Sequence, residues 1–215
     1  MSKSDFASLL CSRLCHDLVG PVGALYNGVE LLADETDPEM QRRCLELLAD
    51  SARQTANKLK FFRLAFGAAG GFGDDVDMRD AQSALAGLFA DRPIVIEWQV
   101  PSGALPKSAV KLLLNLAMTA GDALLRGGTL NVAAEVRSGE VELVVRVEGP
   151  RLLLDAELRA AMEGRAVLGS LSPRAAAAFL VHCLADDAGA TLVVRQPGDG
   201  ILVLGVTIPK RFDAA

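Results

Sequence analysis

Aromatic side chains are scarce in this chain: one Trp, one Tyr and eight Phe make up 5% of its residues. With 51% hydrophobic residues overall, its core must therefore be aliphatic, rich in Ala and Leu, and helix-heavy. Net positive charge is missing as well. The formal charge is -5 and no basic run gathers on one segment, which argues against a general affinity for nucleic acid or an anionic membrane. No apolar run reaches the roughly 18 residues of a membrane span. Met1–Asp5 does not begin a basic-then-apolar leader, so a cytoplasmic protein is expected. Cysteines number four: Cys11, Cys15, Cys44 and Cys183. Cys11 and Cys15 stand one helical turn apart, poor geometry for a disulfide, and none has His or Cys at metal-ligand spacing. They are expected to be small buried thiols. Only two histidines occur, His16 and His182.

The 215 residues suffice for one large domain or two small ones. Residues 5–33 carry a helical stripe at Leu10, Leu14, Leu18, Leu25, Val29 and Leu32. After Asp34-Glu35-Thr36, Asp37 is a suitable N-cap and Pro38 a suitable first helical residue. A second helix then runs to Phe66 on a stripe of Leu45, Leu48, Ala52, Ala56, Leu59, Phe62 and Phe66. Each helix is roughly 42 Å long at 1.5 Å per residue. Two such helices on a short loop make an antiparallel hairpin, which cannot cover both stripes alone. A four-helix bundle formed with a second copy is the economical solution.

Gly67-Ala68-Ala69-Gly70-Gly71-Phe72-Gly73-Asp74-Asp75 reads as a linker. Beyond it, helices are expected at Met78–Arg92, Pro106–Leu125, Asp155–Glu163 and from Ser172-Pro173 to Asp187. Strands are expected at Ile94–Val100, Thr129–Val136, Glu140–Val147, Leu192–Val194 and Ile201–Ile208. The fold class is α+β. Residues 1–67 are expected to form a helical hairpin that dimerises, and residues 75–215 an α/β sandwich with helices on one face of a mixed sheet.

Counting about 100° per residue from Leu18, Leu14, Leu25, Val29 and Leu32 lie within about 40°, whereas His16, Gly20, Gly23 and Asn27 lie at about 140–200°. His16 thus faces water, beside two glycines that flatten its surface. Asp17 can accept a hydrogen bond from one imidazole nitrogen and fix the tautomer, or act as a general base. Pro21 deletes a helical hydrogen bond just past the histidine. Arg13 lies near the same face, where it can assist docking or stand as a solvated surface charge. His182, inside the apolar Phe179–Leu184 run, reads as structural.

His16-Asp17-Leu18-Val19-Gly20-Pro21 resembles the H-box of two-component histidine kinases: a His, an acid, and a Pro five residues on. The longer Leu14–Leu32 stretch is similar to the ChpT-type histidine phosphotransferases of alphaproteobacteria, in the order of elements across the whole chain. That resemblance implies a homodimer with a C-terminal domain shaped like a kinase ATP-binding domain. It implies a carrier that takes phosphoryl from the receiver domain of a hybrid histidine kinase and passes it to response-regulator receivers. His16 and Asp17 would be catalytic, and Arg13, Gly20, Gly23 and Asn27 would dock the partner. The chain would hold no cofactor or metal of its own; magnesium would come with the receiver. In kinases a helix with an Asn-Leu-x-x-Asn-Ala pattern holds the magnesium of ATP; Asn115-Leu116 resembles its start, but Thr119 replaces the second Asn. Glu148-Gly149-Pro150-Arg151 lacks the adenine-reading Asp, and Gly164 and Gly169 are too scattered for a phosphate cradle. ATP binding is expected to be degenerate. Gly20 stands where dual-function kinases often carry Thr or Asn, so weak or absent phosphatase activity is expected. Two rivals remain: an ATP-using kinase core, and a non-catalytic dimeric adaptor.

Overall fold

The computed structural model describes residues 3–67, 75–137, 139–166 and 171–209. α1 (Lys3–Asp34) and α2 (Pro38–Phe66) form the hairpin. Asp37 is the N-cap of α2: its carboxylate accepts from the amide of Glu39 at 3.1 Å, with Pro38 opening the first turn. The two helices approach closely because Gly28 is buried; a Cβ there would lie 2.8 Å from Leu48 Cδ2. Most of the predicted linker lies outside the described residues. Gly67 ends α2 and Asp75 already belongs to a strand.

β1 (Asp75–Asp77) pairs antiparallel with β3 (Ala104–Pro106), a small ribbon that the sequence pattern does not reveal. α3 (Met78–Leu88) ends before Arg92, and α4 (Lys107–Ala123) begins one residue after Pro106, which is spent in β3. β2 (Ile94–Gln99), β4 (Gly128–Arg137), β5 (Glu140–Glu148), β6 (Thr191–Gly198) and β7 (Ile201–Pro209) form one sheet in the order β2-β4-β5-β7-β6. β2 runs parallel to β4, and the other neighbours are antiparallel, so the sheet is mixed. α5 (Ala156–Met162) and α6 (Pro173–Asp187) complete the described helices, with Ser172 capping α6 through its hydroxyl to the amide of Ala175.

Strict alternation places Val141, Leu143, Val145 and Val147 of β5 on the buried face, matched by Leu202, Leu204 and Val206 of β7. Against them pack Leu112, Leu113 and Leu116 of α4 and the alanine face of α6. Phe61, Phe62, Leu64 and Ala65, the last two turns of α2, join that same core. The hairpin is therefore welded at its base to the C-terminal body.

Of the predicted α2 stripe, Phe62 is buried and Leu48, which meets Gly28 of α1, is partly buried, whereas Leu45, Ala52, Ala56 and Leu59 are exposed, as expected of a hairpin that cannot cover its own stripes. On α1, Val29 is 60% exposed and Tyr26 is 64% exposed. Each helix carries two apolar strips, and the hairpin contact uses one of them. The cysteines differ from expectation. Cys11 and Cys15 are exposed, Cys183 is partly buried and Cys44 alone is buried. Hydrophobic burial preference is weak for a small thiol when its helix face is turned to solvent.

Candidate phosphotransfer site

Pro21 is buried within α1, and its missing amide leaves the carbonyl of Asp17, four residues back, without its helical donor. Lys58 of α2 fills that vacancy: its ammonium donates to Asp17 O at 2.7 Å. The proline thus costs a helix bond and gains a bond between the two helices at the residue beside His16.

The carboxylate of Asp17 is held equally firmly. Arg13, one turn earlier, donates through Nε to Oδ2 at 2.7 Å, and His16 Nδ1 lies 3.1 Å from Oδ1. A carboxylate facing a guanidinium can only accept, so the Nδ1 contact requires the proton to be on Nδ1. Nε2 then carries the lone pair. The His16 side chain is 84% exposed, so that lone pair faces open solvent. Arg13 also reaches across to the C-terminal body, donating through Nη2 to Asp122 Oδ2 at 2.7 Å. Asp122 in turn accepts from Arg92 Nη1 at 3.1 Å, and Arg92 Nη2 donates to the carbonyls of Gly121 and Leu124 where α4 ends. Burial works to lower the pKa of the Arg13 guanidinium, but the carboxylates of Asp122 and Asp17 outweigh it and raise the value.

Arg13 is accordingly not a solvated surface charge. It is 12% exposed and committed at both ends. Gly20 and Asn27 are exposed and Gly23 partly so; a Cβ at Gly20 or Gly23 would meet nothing within 4 Å, so that face is open. Sequence reasoning missed Lys58, Arg92 and Asp122. Pro21 held the only local clue to one of them, because an orphaned carbonyl demands a donor. His182 packs under Gly164, whose Cβ would fall 2.4 Å from the ring; Gly164 has φ +69°, a conformation that suits glycine.

A cleft of about 420 Å³ opens beside the histidine, lined by Arg13, His16, Asp17 and Asp122 on one side and Ser172, Pro173 and Arg174 on the other. The first turn of α6 is brought there by contacts with α1, among them the edge-on pair Phe6–Phe179 at 5.3 Å.

Asn115 and Thr119, where the sequence resembles the metal-holding helix of kinases, both lie in the core. Asn115 is fully buried, and its amide donates to Ala65 O of α2 at 2.9 Å and Lys111 O at 2.8 Å. Thr119 is 4% exposed, and both its hydroxyl and Asn115 Oδ1 are shielded from solvent. The chain after β5 folds directly onto the end of α4, with the amide of Leu125 donating to Arg151 O at 3.1 Å and that of Leu153 to Ala123 O at 2.9 Å. Gly169 lies outside the described residues.

A helical hairpin joined to an α/β body is the architecture of this chain, and its relatives place it among the protein phosphotransferases. The chain belongs to the histidine phosphotransferase family. The family described as the histidine phosphotransferase C-terminal domain matches residues 78–200. The protein phosphotransferase ChpT of Brucella abortus is 33% identical over 202 residues, covering 94% of this chain and 95% of that one. A bacterial phosphotransferase of known structure aligns with a TM-score of 0.84 and 31% identity, over 96% of this chain and 97% of that one. The Acinetobacter baumannii histidine kinase AdeS aligns with a TM-score of 0.47 and 15% identity over 91% of this chain and 98% of that one. The α+β class and the family expected from the sequence are thus found.

Proposed function

We propose that His16 is the phosphoryl carrier and that Nε2 is the atom that takes the group. The observation that supports this is the solvent-facing Nε2 of a ring whose Nδ1 is engaged by Asp17. A receiver domain of a hybrid histidine kinase docks its aspartyl phosphate over His16. The Nε2 lone pair attacks phosphorus in line, the P–O bond to the receiver carboxylate breaks, and that carboxylate leaves with the electron pair. The ring becomes a phosphorylated imidazolium, still carrying its Nδ1 proton, and Asp17 offsets the new positive charge. Magnesium and a lysine on the receiver neutralise the transferring group; this chain contributes no cofactor of its own. The reverse sequence loads the receiver of a response regulator. Gly20, Gly23 and Asn27 form the surface on which the partner sits.

The functional unit is a homodimer whose four-helix bundle buries the second apolar strips. Val22, Tyr26 and Val29 of α1 and Leu45 and Leu59 of α2 are between 47% and 64% exposed in one chain. No helix among the described residues is long and apolar enough to cross a membrane, and the carrier works in the cytoplasm with its receivers.

The test is to mix the protein with a phosphorylated receiver and follow acid-labile, base-stable phosphate. His16→Gln is expected to abolish acceptance and His182→Gln to leave it intact. Acceptance by the His16→Gln protein would refute the assignment.

A further inference from the structure

The bonding of Arg13 carries information beyond the identity of the phosphoryl carrier. The Nε–H and Nη2–H of a guanidinium lie on one edge and match the two oxygens of a single carboxylate. Asp17 is the near carboxylate, one turn away on the same helix, and a side-on fork would take both of its oxygens. That is not the arrangement present. Nε goes to Asp17 Oδ2, whereas Nη2 goes to Asp122 Oδ2, each at 2.7 Å. Asp17 Oδ1 is thereby left over, and it is this oxygen that contacts His16 Nδ1. Asp122 is itself steadied from behind by Arg92, whose other donors are fixed on the end of α4.

We propose that Asp122, in the C-terminal body, is a positioning residue for His16: it divides the donor edge of Arg13 between two carboxylates, so that Asp17 keeps one oxygen for the imidazole. This rests on the assignment of His16 as carrier for its effect on transfer, but not for its effect on the ring. Without Asp122, Arg13 closes side-on upon Asp17, and Oδ1 then divides its lone pairs between Arg13 Nη2 and His16 Nδ1. The bond to Nδ1 is weakened and turned from its line, and the ring exchanges between tautomers. Only one of these presents a free Nε2 lone pair. The C-terminal body thereby acts on the reacting ring with no nucleotide in it. It contributes the far carboxylate, 109 residues along the chain from Arg13, that sets the near one.

The experiment uses the full chain. Long-range 1H–15N correlation of the imidazole nitrogens, recorded where the rings are neutral, reads the tautomer directly; the His16→Gln protein identifies which signals belong to His182. Wild type is expected to show His16 protonated on Nδ1. Asp122→Ala is expected to move both His16 ring nitrogens toward the values of the other tautomer and to slow phosphoryl acceptance by about tenfold or more, the scale of loss when a partner that orients a histidine is removed. Asp122→Asn, which keeps a weaker neutral acceptor, should fall between, and Asp122→Glu should restore most of both. If Asp122→Ala does not fold, the Asn and Glu variants are read the same way. An unchanged His16 tautomer in the folded Asp122 variants overturns the proposal. So does slower transfer with an unchanged tautomer, which would make Asp122 a docking or stability residue. Should wild type accept no phosphoryl on His16, the carrier assignment fails while the tautomer measurement still decides the role of Asp122.

Discussion

Replacing Lys58 by Met removes the ammonium but keeps a long apolar stem over the same surface. The structure gives the consequence: Asp17 O loses its donor, because Pro21 has no amide to offer in its place. A hydrogen bond to a charged donor contributes about 1.5–3 kcal/mol when its partner is left unsatisfied. This contact is only part-buried, so water can replace some of it, and the lower end, about 1.5 kcal/mol, applies. For a chain of this size that corresponds to about 3–6 °C in Tm. Pro21→Ala changes the arithmetic, because it returns an amide four residues after Asp17. In that background Lys58→Met should cost less than about 0.5 kcal/mol, a coupling of about 1 kcal/mol between residues on two different helices. Urea unfolding of wild type, both single variants and the double, at one protein concentration, measures this. Equal costs for Lys58→Met in the two backgrounds would refute the reasoning and leave Lys58 as an ordinary surface charge.

Other outcomes follow from the same geometry. Tyr26→Glu combined with Val29→Asp should leave the chain folded but shift it to monomer in light scattering coupled to size exclusion, because both side chains stand exposed on α1. Gly28→Val should lower stability by about 1–3 kcal/mol, since its side chain would be driven into Leu48, and circular dichroism melting reads the loss. Asn115→Ala should cost about 2 kcal/mol by leaving Ala65 O unpaired, with no change in nucleotide affinity by calorimetry. Dephosphorylation of a phosphorylated receiver by this protein should be slow and depend on His16, since Gly20 offers no side chain to place a water; fast hydrolysis by the His16→Gln protein would contradict this.

The helical hairpin was legible in the sequence because its signals are local. Asp37 and Pro38 mark a helix start by their own chemistry, and the stripe spacing needs no partner to be seen. The exposure of His16 was legible for the same reason, as it follows from counting residues around α1. What the sequence concealed depends on contacts between distant segments. The three-residue strands β1 and β3 are too short to show alternation. Asp122 could not be linked to Arg13 before the fold had placed α4 against α1, and Lys58 stands 41 residues from Asp17. How the apolar positions of α2 divide between α1, the C-terminal body and the exposed face was also unreadable, because that division depends on partners distant in sequence.

Asn115 and Arg13 fasten the hairpin to the middle and to the last turn of α4: one through the carbonyl of Ala65, the other through Asp122. Swinging the C-terminal body about either attachment would break the other. Held at both points, the cleft between His16 and the start of α6 keeps its shape before a partner arrives. Docking then freezes little motion in this chain, and less binding free energy is lost to ordering it. Every partner that docks over His16 gains from this alike, because each meets the same surface.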